Sequence, residues 1–263
     1  MTTDPVFIVG CPRTGTSWLY VCLKLHPELS FIRDDKGCLA ETSIAIKHPC
    51  FRFDSSIPFK DRNVYVPGPG AVESFRELCE EHLKKGQRVL GKHVRPSRVP
   101  FIQRVWPEAQ IIHCTRLFLP TAWSLFKAAT GKWYKPGSPA VWSNFARVWP
   151  EELQRLWREH YNDPLAWACI DSIVWEDLIR RDLEGTPVIE WPYEEFVYNP
   201  RQRMATLVQS LGLAPDVSLM SKVDGTSDCN GKYKKQASQE QLTRMYSVES
   251  EAKGILQHIR RST

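Results

Sequence analysis

Apolar and polar positions along the chain follow two alternating rhythms. Val6 to Val9 is a short apolar run, met by a turn rich in Gly, Pro and Arg ("GCPRTG"). Apolar positions at helical spacing follow from about Thr16 to His26, and Pro27 ends them. The strand signal returns in "RVLGKHV", "AQIIHCTR" and "TPVIEW". Between these strands the spacing predicts helices. "VESFRELCEEHLKKG" has Glu early, Lys late and Gly86 as its stop, and "RVPFIQRVW" is a short helix. "PTAWSLFKAA" carries Pro near its first turn, two segments cover residues 150–161 and 164–183, and "NPRQRMATLVQSLGL" opens with Asn-Pro. A last helix is predicted from Ser238 to about Ile259. Residues 31–72 and 214–237 keep neither rhythm, and so long a loop as the first usually serves a site. Strands alternating with helices predict an α/β protein: a single-domain, three-layer fold whose central parallel sheet has helices on both faces. There is no internal repeat and no low-complexity segment.

Composition sharpens this picture without changing it. The chain has 263 residues, 42% hydrophobic, enough for one large domain over residues 1–263. Lys and Arg number 35 against 30 Asp and Glu, a net charge of +5 that is too mild for nucleic-acid wrapping. It suits a basic pocket for an anionic ligand. No 18-residue apolar run occurs, so no membrane span is expected. Met1 to Pro5 lack the basic start and apolar core of a signal peptide, and a cytoplasmic protein is the expectation. The eight cysteines form no CxxC pair, and Cys22 and Cys114 lie in apolar periodic segments. Reduced core thiols are expected, not disulfides or a zinc site.

The first turn raises the chemical question. Gly10, four residues and Gly15 have the spacing of a phosphate loop, yet position 16 is Thr where an ATPase has Lys. Backbone N–H groups from Arg13 to Ser17, with a helix N-terminus behind them, can cradle an anion. Thr16 and Ser17 add hydroxyl donors.

Several stretches resemble one family. "GCPRTGTSWL", residues 10–19, resembles the 5′-phosphosulfate loop of sulfotransferases that use 3′-phosphoadenosine 5′-phosphosulfate, PAPS. "IIHCTRLFLPTAWSLF" has Arg116 closing a strand and Ser124 eight residues later, and is similar to the family's 3′-phosphate-binding element. The family usually follows its Arg with a polar and then a basic residue; Leu117 and Phe118 stand here instead. "GKHVRPSRVP" resembles a strand-end Lys-Thr-His-Leu-Pro, with His93 at the base position, Lys92 in the Thr place and Gly91 in the Lys place. "YEEFVYNPRQRMATLVQSLGL" and "NGKYKKQASQEQL" are similar to the family's late helix and its basic C-terminal loop. The matches run in the family's order from residue 6 to about residue 245.

This resemblance implies a P-loop fold and transfer of a sulfuryl group from PAPS, with PAP as product and no metal. The acceptor would be a hydroxyl or amine of a small molecule, lipid or carbohydrate, attacking in line. Arg13, Thr14, Gly15, Thr16, Ser17 and Trp18 would bind the phosphosulfate, Arg13 also steadying charge on the leaving phosphate. Arg116 and Ser124 would grip the 3′-phosphate. Tyr193, Gly231, Lys232 and Tyr233 would touch the adenine or close over that phosphate. His93 is the first candidate for the general base and Glu41 the second. The missing lysine then makes sense, since PAPS has no γ-phosphate. Residues 31–72 and 131–150, with Trp133, Tyr134 and Trp142, would shape the acceptor pocket. Two other readings stay open: a P-loop kinase, disfavoured by Thr16 and by the lack of an Asp closing a strand, and a non-catalytic nucleotide-binding module.

Overall fold

The computed structural model describes residues 4–31, 71–80, 86–93, 99–128, 151–160, 162–223 and 232–261. Its centre is a five-stranded sheet of β1 (Val6–Gly10), β2 (Leu29–Phe31), β3 (Arg88–His93), β4 (Gln110–Thr115) and β5 (Val188–Pro192). The order is β2-β3-β1-β4-β5, and every pairing is parallel. Four of these strands are the ones the sequence predicts. β2 is additional: three residues ending where the segment expected to be irregular begins, too short to carry a period of its own.

The helices are α1 (Thr16–Leu23), α2 (Ala71–Glu80), α3 (Val99–Val105), α4 (Phe118–Ala128), α5 (Glu151–Glu159) and α6 (Pro164–Asp182). They continue with α7 (Tyr193–Tyr198), α8 (Pro200–Ser210), α9 (Val217–Val223), α10 (Lys232–Gln236) and α11 (Gln239–Arg261). Residues 214–237, expected to be a loop, thus include α9 and α10. α1 stops at Leu23 rather than His26, because buried His26 leaves the helix to place its Nε2 2.7 Å from the Ala214 carbonyl oxygen.

By contact the chain groups into two compact units. One holds the described residues within Met1–Phe53, Tyr65–Arg116 and Ile179–Asp228; the other holds those within Leu117–Leu178 and Cys229–Thr263. In the first unit, strand residues of one parity (Val6, Ile8, Leu90, Ile112, Cys114, Trp191) join Leu19, Leu23, Leu207 and Leu219 of α1, α8 and α9 in one core. The other parity faces away from it, where Phe7 packs its ring 5.4 Å from that of Trp106, just after α3. Both faces of β1 are therefore buried, which explains its unbroken apolar run.

At the N-terminal ends of the strands, buried Arg88 ties three elements together. Its guanidinium donates to the carbonyls of Asp4 and Leu211, each at 2.6 Å, and to Gln110 Oε1. Leu211 is the C-cap of α8, which has no basic residue in its own last turn. Arg88 supplies the missing positive charge at that end.

The second unit has its own core, in which Trp123 of α4, Leu153 and Leu156 of α5, Ile170 and Val174 of α6, and Met245 and Val248 of α11 are buried together. Asp163 caps α6 by accepting from the amides of Leu165 and Ala166, and its other oxygen takes Arg244 of α11 at 3.1 Å.

The cysteine expectation holds for Cys11, Cys22, Cys114 and Cys169, which are buried and outside any disulfide. Burial pushes the Cys22 thiol up to about 12, with Lys222 pulling weakly the other way. Cys169 shifts in the same direction, again mainly by burial. Among the described residues, no helix is long and apolar enough to cross a membrane.

Candidate functional site

The site grows from the junction of β1 and α1, at the C-terminal strand ends where parallel sheets collect ligands. Gly10 lies opposite Cys114 in the ladder, and a Cβ there would stand 2.4 Å from the Cys114 carbonyl oxygen. Only glycine lets β1 run on into the turn against β4. The turn closes on itself: the amide of Thr14 and its hydroxyl both donate to the Cys11 carbonyl, at 3.3 and 2.7 Å. Thr14 is buried and its side chain is committed to the loop's shape.

Arg13 holds φ 75, the left-handed region that L-residues avoid; among the described residues no other non-glycine does so. Such strain costs on the order of 1 kcal/mol or more and persists where the surroundings impose it. Gly15, at φ 97, follows and serves as the N-cap of α1 without a side-chain cap bond. The first turn of α1 contains no acidic residue. No carboxylate of that turn competes for its amides or for the positive end of the helix dipole.

Two cations come to this loop from neighbouring strands. Lys92 of β3, paired in register with Ile8, is 6% exposed and donates its ammonium to Ser17 Oγ at 2.8 Å. Arg116, just past β4, donates from Nη1 to the Arg13 carbonyl at 3.0 Å. Its guanidinium carbon also lies 4.4 Å from the centroid of the Tyr193 ring. The β4–β5 register aligns Thr115 with Pro192, so the residues that follow them, Arg116 and Tyr193, emerge side by side.

The other residues singled out in the sequence divide by location. Thr16 is buried, Ser17 is exposed, and half-buried Trp18 packs 4.4 Å from the ring of Phe196. His93 is the last residue of β3, opposite Val9. Ser124 is half-buried on α4 in the second unit, where Lys232 and Tyr233 open α10 and Tyr233 packs on that unit's core. Glu41, Gly231, Trp133, Tyr134 and Trp142 lie outside the described residues. His113, fully buried in β4, has its Nδ1 3.2 Å from Glu190 Oε1, as befits a packed strand residue.

Lys92 is the residue that the sequence reading passed over. A signal for it existed. Arg88, Leu90 and Lys92 share one strand parity, and Leu90 is in the core beneath α1. A lysine on the buried side of a strand beside a phosphate loop needs an acceptor there, and Ser17 provides one.

No protein-family model matches the chain, and no curated protein matches it in sequence. Solved structures do. A sulfotransferase from Alicyclobacillus acidocaldarius aligns with 95% of this chain and 97% of its own, at 17% identity and a TM-score of 0.50. The sulfotransferase domain from the curacin biosynthetic pathway covers 86% of this chain and 79% of its own, at 14% identity and a TM-score of 0.53. A sulfotransferase from Mycobacterium tuberculosis covers 97% and 77%, at 13% identity and a TM-score of 0.50. The chain has the α/β P-loop fold of these sulfotransferases.

Proposed function

We propose that the protein is a sulfotransferase: it moves a sulfuryl group from PAPS to a hydroxyl or amine of a small-molecule, lipid or carbohydrate acceptor. In this reading residues 1–263 work as one sulfotransferase-like domain. The observation that carries it is the 2.8 Å contact of Lys92 Nζ with Ser17 Oγ. It puts a buried cation at the head of a helix that has neither a side-chain cap nor an acid in its first turn. That combination favours a phosphate or phosphosulfate. The likeness to sulfotransferase folds then favours PAPS over a nucleoside triphosphate.

The residues fit such a donor. Gly10 and Gly15 let the loop pack against Cys114 and Tyr193, while Arg13 and Lys92 offer positive charge at the loop. Arg116, with Ser124 joined to it on sequence spacing, takes the 3′-phosphate. Tyr193 belongs to the same donor site, and Gly231, Lys232 and Tyr233 to the segment that closes over it. When bound, the donor supplies the sulfuryl group and a phosphate leaving group. Arg13 and Lys92 hold negative charge on the phosphosulfate oxygens, and charge that builds late is what such groups stabilise best. His93 takes the proton from the acceptor, and Glu41 is the alternative base.

Incubation with radiolabelled PAPS and a metabolite extract tests the reading. Label transferred to an acceptor, suppressed by 3′,5′-ADP, is the expected result. Tight 3′,5′-ADP binding with no transfer to any acceptor would instead favour a non-catalytic nucleotide-binding module. Activity only with ATP and Mg²⁺ would favour the kinase.

A further inference from the structure

A three-residue junction within the second unit holds α11 to the corner between α5 and α6. Arg244 of α11 donates from Nη2 to His160 Nδ1 at 2.8 Å and from Nε to Asp163 Oδ2 at 3.1 Å. A guanidinium only donates, so Nδ1 must accept and carries no hydrogen. The ring is then neutral with its one hydrogen on Nε2, which is buried and has no hydrogen-bond partner.

A second proton would land on Nδ1, facing Arg244, and would break that bond. Among the described residues no carboxylate stands ready to receive it. Asp163 Oδ1 already accepts from the amides of Leu165 and Ala166, and its Oδ2 holds Arg244. Glu249 of α11, near enough to act on Cys169 together with Asp163 and Arg244, pairs with Lys253 at 2.5 Å. Glu159, next to His160, is exposed and pairs with Arg155, and Glu240 at the start of α11 is exposed. The carbonyl end of α5 attracts cations, and Arg158 already occupies its last turn.

We propose that His160 is an acid-sensitive latch: neutral, it holds Arg244 and with it the first half of α11 on the α5–α6 corner; protonated, it lets both go. The device does not depend on the donor reading. Imidazole ordinarily changes charge between pH 5 and 8, a range in which carboxylates and guanidinium groups ordinarily keep theirs. Acid therefore loosens the C-terminal part of the second unit. The loosening includes α10, since only Ala237 and Ser238 separate it from α11.

Hydrogen exchange on the full chain, at about pH 7.5, 6.5 and 5.5 and corrected for the chemical effect of pH on exchange, tests the latch. Opening of residues 239–248 should rise about 5- to 20-fold from the highest pH to the lowest, within the tenfold per pH unit that one proton allows, while α8 in the first unit stays constant. His160→Asn keeps an acceptor for Arg244 but takes up no proton, so its α11 should exchange alike at all three values. Arg244→Met removes the bonded group, so α11 should open more readily at the highest pH and gain nothing further in acid. Each variant is checked for a native thermal transition. A wild-type α11 whose protection does not change with pH overturns the latch. So does an acid response that survives in either folded variant, because another group then carries it.

Discussion

Lys92 Nζ and Ser17 Oγ are 2.8 Å apart, a strand lysine bonded to the second residue of the helix that follows the phosphate loop. An ATPase carries its lysine within the loop sequence; here position 16 is Thr, and Lys92 reaches Ser17 from β3, where the sheet register sets it opposite Ile8.

Replacing this cation by an apolar chain of similar length should strip the site of its central charge. Lys92→Met is expected to weaken binding of 3′,5′-ADP about 10- to 100-fold, the range of a charge-assisted hydrogen bond. Turnover at saturating donor should fall by a further ~10². Calorimetry and steady-state kinetics on the same preparation separate the two effects. Unchanged nucleotide affinity in a folded variant would mean that Lys92 serves only to pin α1.

How much of this was legible beforehand depends on whether the signal is periodic or spatial. β1, β3, β4 and β5 announce themselves by apolar runs, and Gly10 and Gly15 by their spacing. β2 was missed because three residues hold too little of any period. Lys92 was missed because a motif read by residue order treated positions 91–93 as a string, whereas strand parity decides which side chain reaches the loop. The meeting of Arg116 with Tyr193 depends on the β4–β5 pairing, residues far apart in sequence, and no local pattern encodes it. Arg88 carried no warning either. Its three acceptors come from Asp4, Gln110 and Leu211, brought together only by folding.

Gly15 should tolerate no side chain. Its φ of 97 is costly for any L-residue, and a Cβ would meet the Tyr193 ring at 2.9 Å. Gly15→Ala is expected to destabilise the fold by roughly 1–3 kcal/mol. Because the Tyr193 ring must shift, it should also weaken 3′,5′-ADP. A denaturant titration and calorimetry check both parts. A variant of wild-type stability would mean that the loop relaxes freely around this position.

Arg88 should be the costliest surface-remote charge to remove from the first unit. Burial lowers its pKa, offset in part by Asp4 and Glu28. Arg88→Met leaves two carbonyls and a Gln side chain without their donor, a loss of about 3–5 kcal/mol. Urea denaturation measures it. A loss below about 1 kcal/mol would show that water replaces the guanidinium at these acceptors.

The buried thiols give stability an alkaline limit. Cys22 moves from an ordinary 9.0 to about 12 because burial disfavours the thiolate. A pKa raised by folding leaves stability intact below 9.0, where the thiol is neutral in both states. Between 9.0 and about 12 the unfolded chain ionises and the folded one does not, so stability falls as pH rises. The slope should approach 1.4 kcal/mol per pH unit for this one thiol. Cys22→Ala should lower stability at pH 7 modestly and flatten the slope above pH 9, as read from unfolding curves across that range. An identical slope in wild type and variant would assign the alkaline loss to other groups.

The last expectation concerns the proton. His93 ends β3 directly opposite Val9, one residue before the glycine at which β1 leaves the sheet. Its backbone therefore sits at the same strand edge as the phosphate loop, where a parallel sheet presents functional groups. An imidazole titrates near neutrality without help, whereas a carboxylate such as Glu41 must have its pKa raised to act as a base at pH 7. His93→Ala is thus expected to lower kcat by roughly two to four decades with 3′,5′-ADP affinity nearly kept, and Glu41→Ala to cost less. The acidic limb of the kcat profile should also vanish in His93→Ala, since the group that must be deprotonated is gone. Both variants are compared at saturating donor and acceptor, with thermal unfolding as the control for folding. A near-silent His93→Ala beside an inactive but folded Glu41→Ala would pass the base role to the carboxylate.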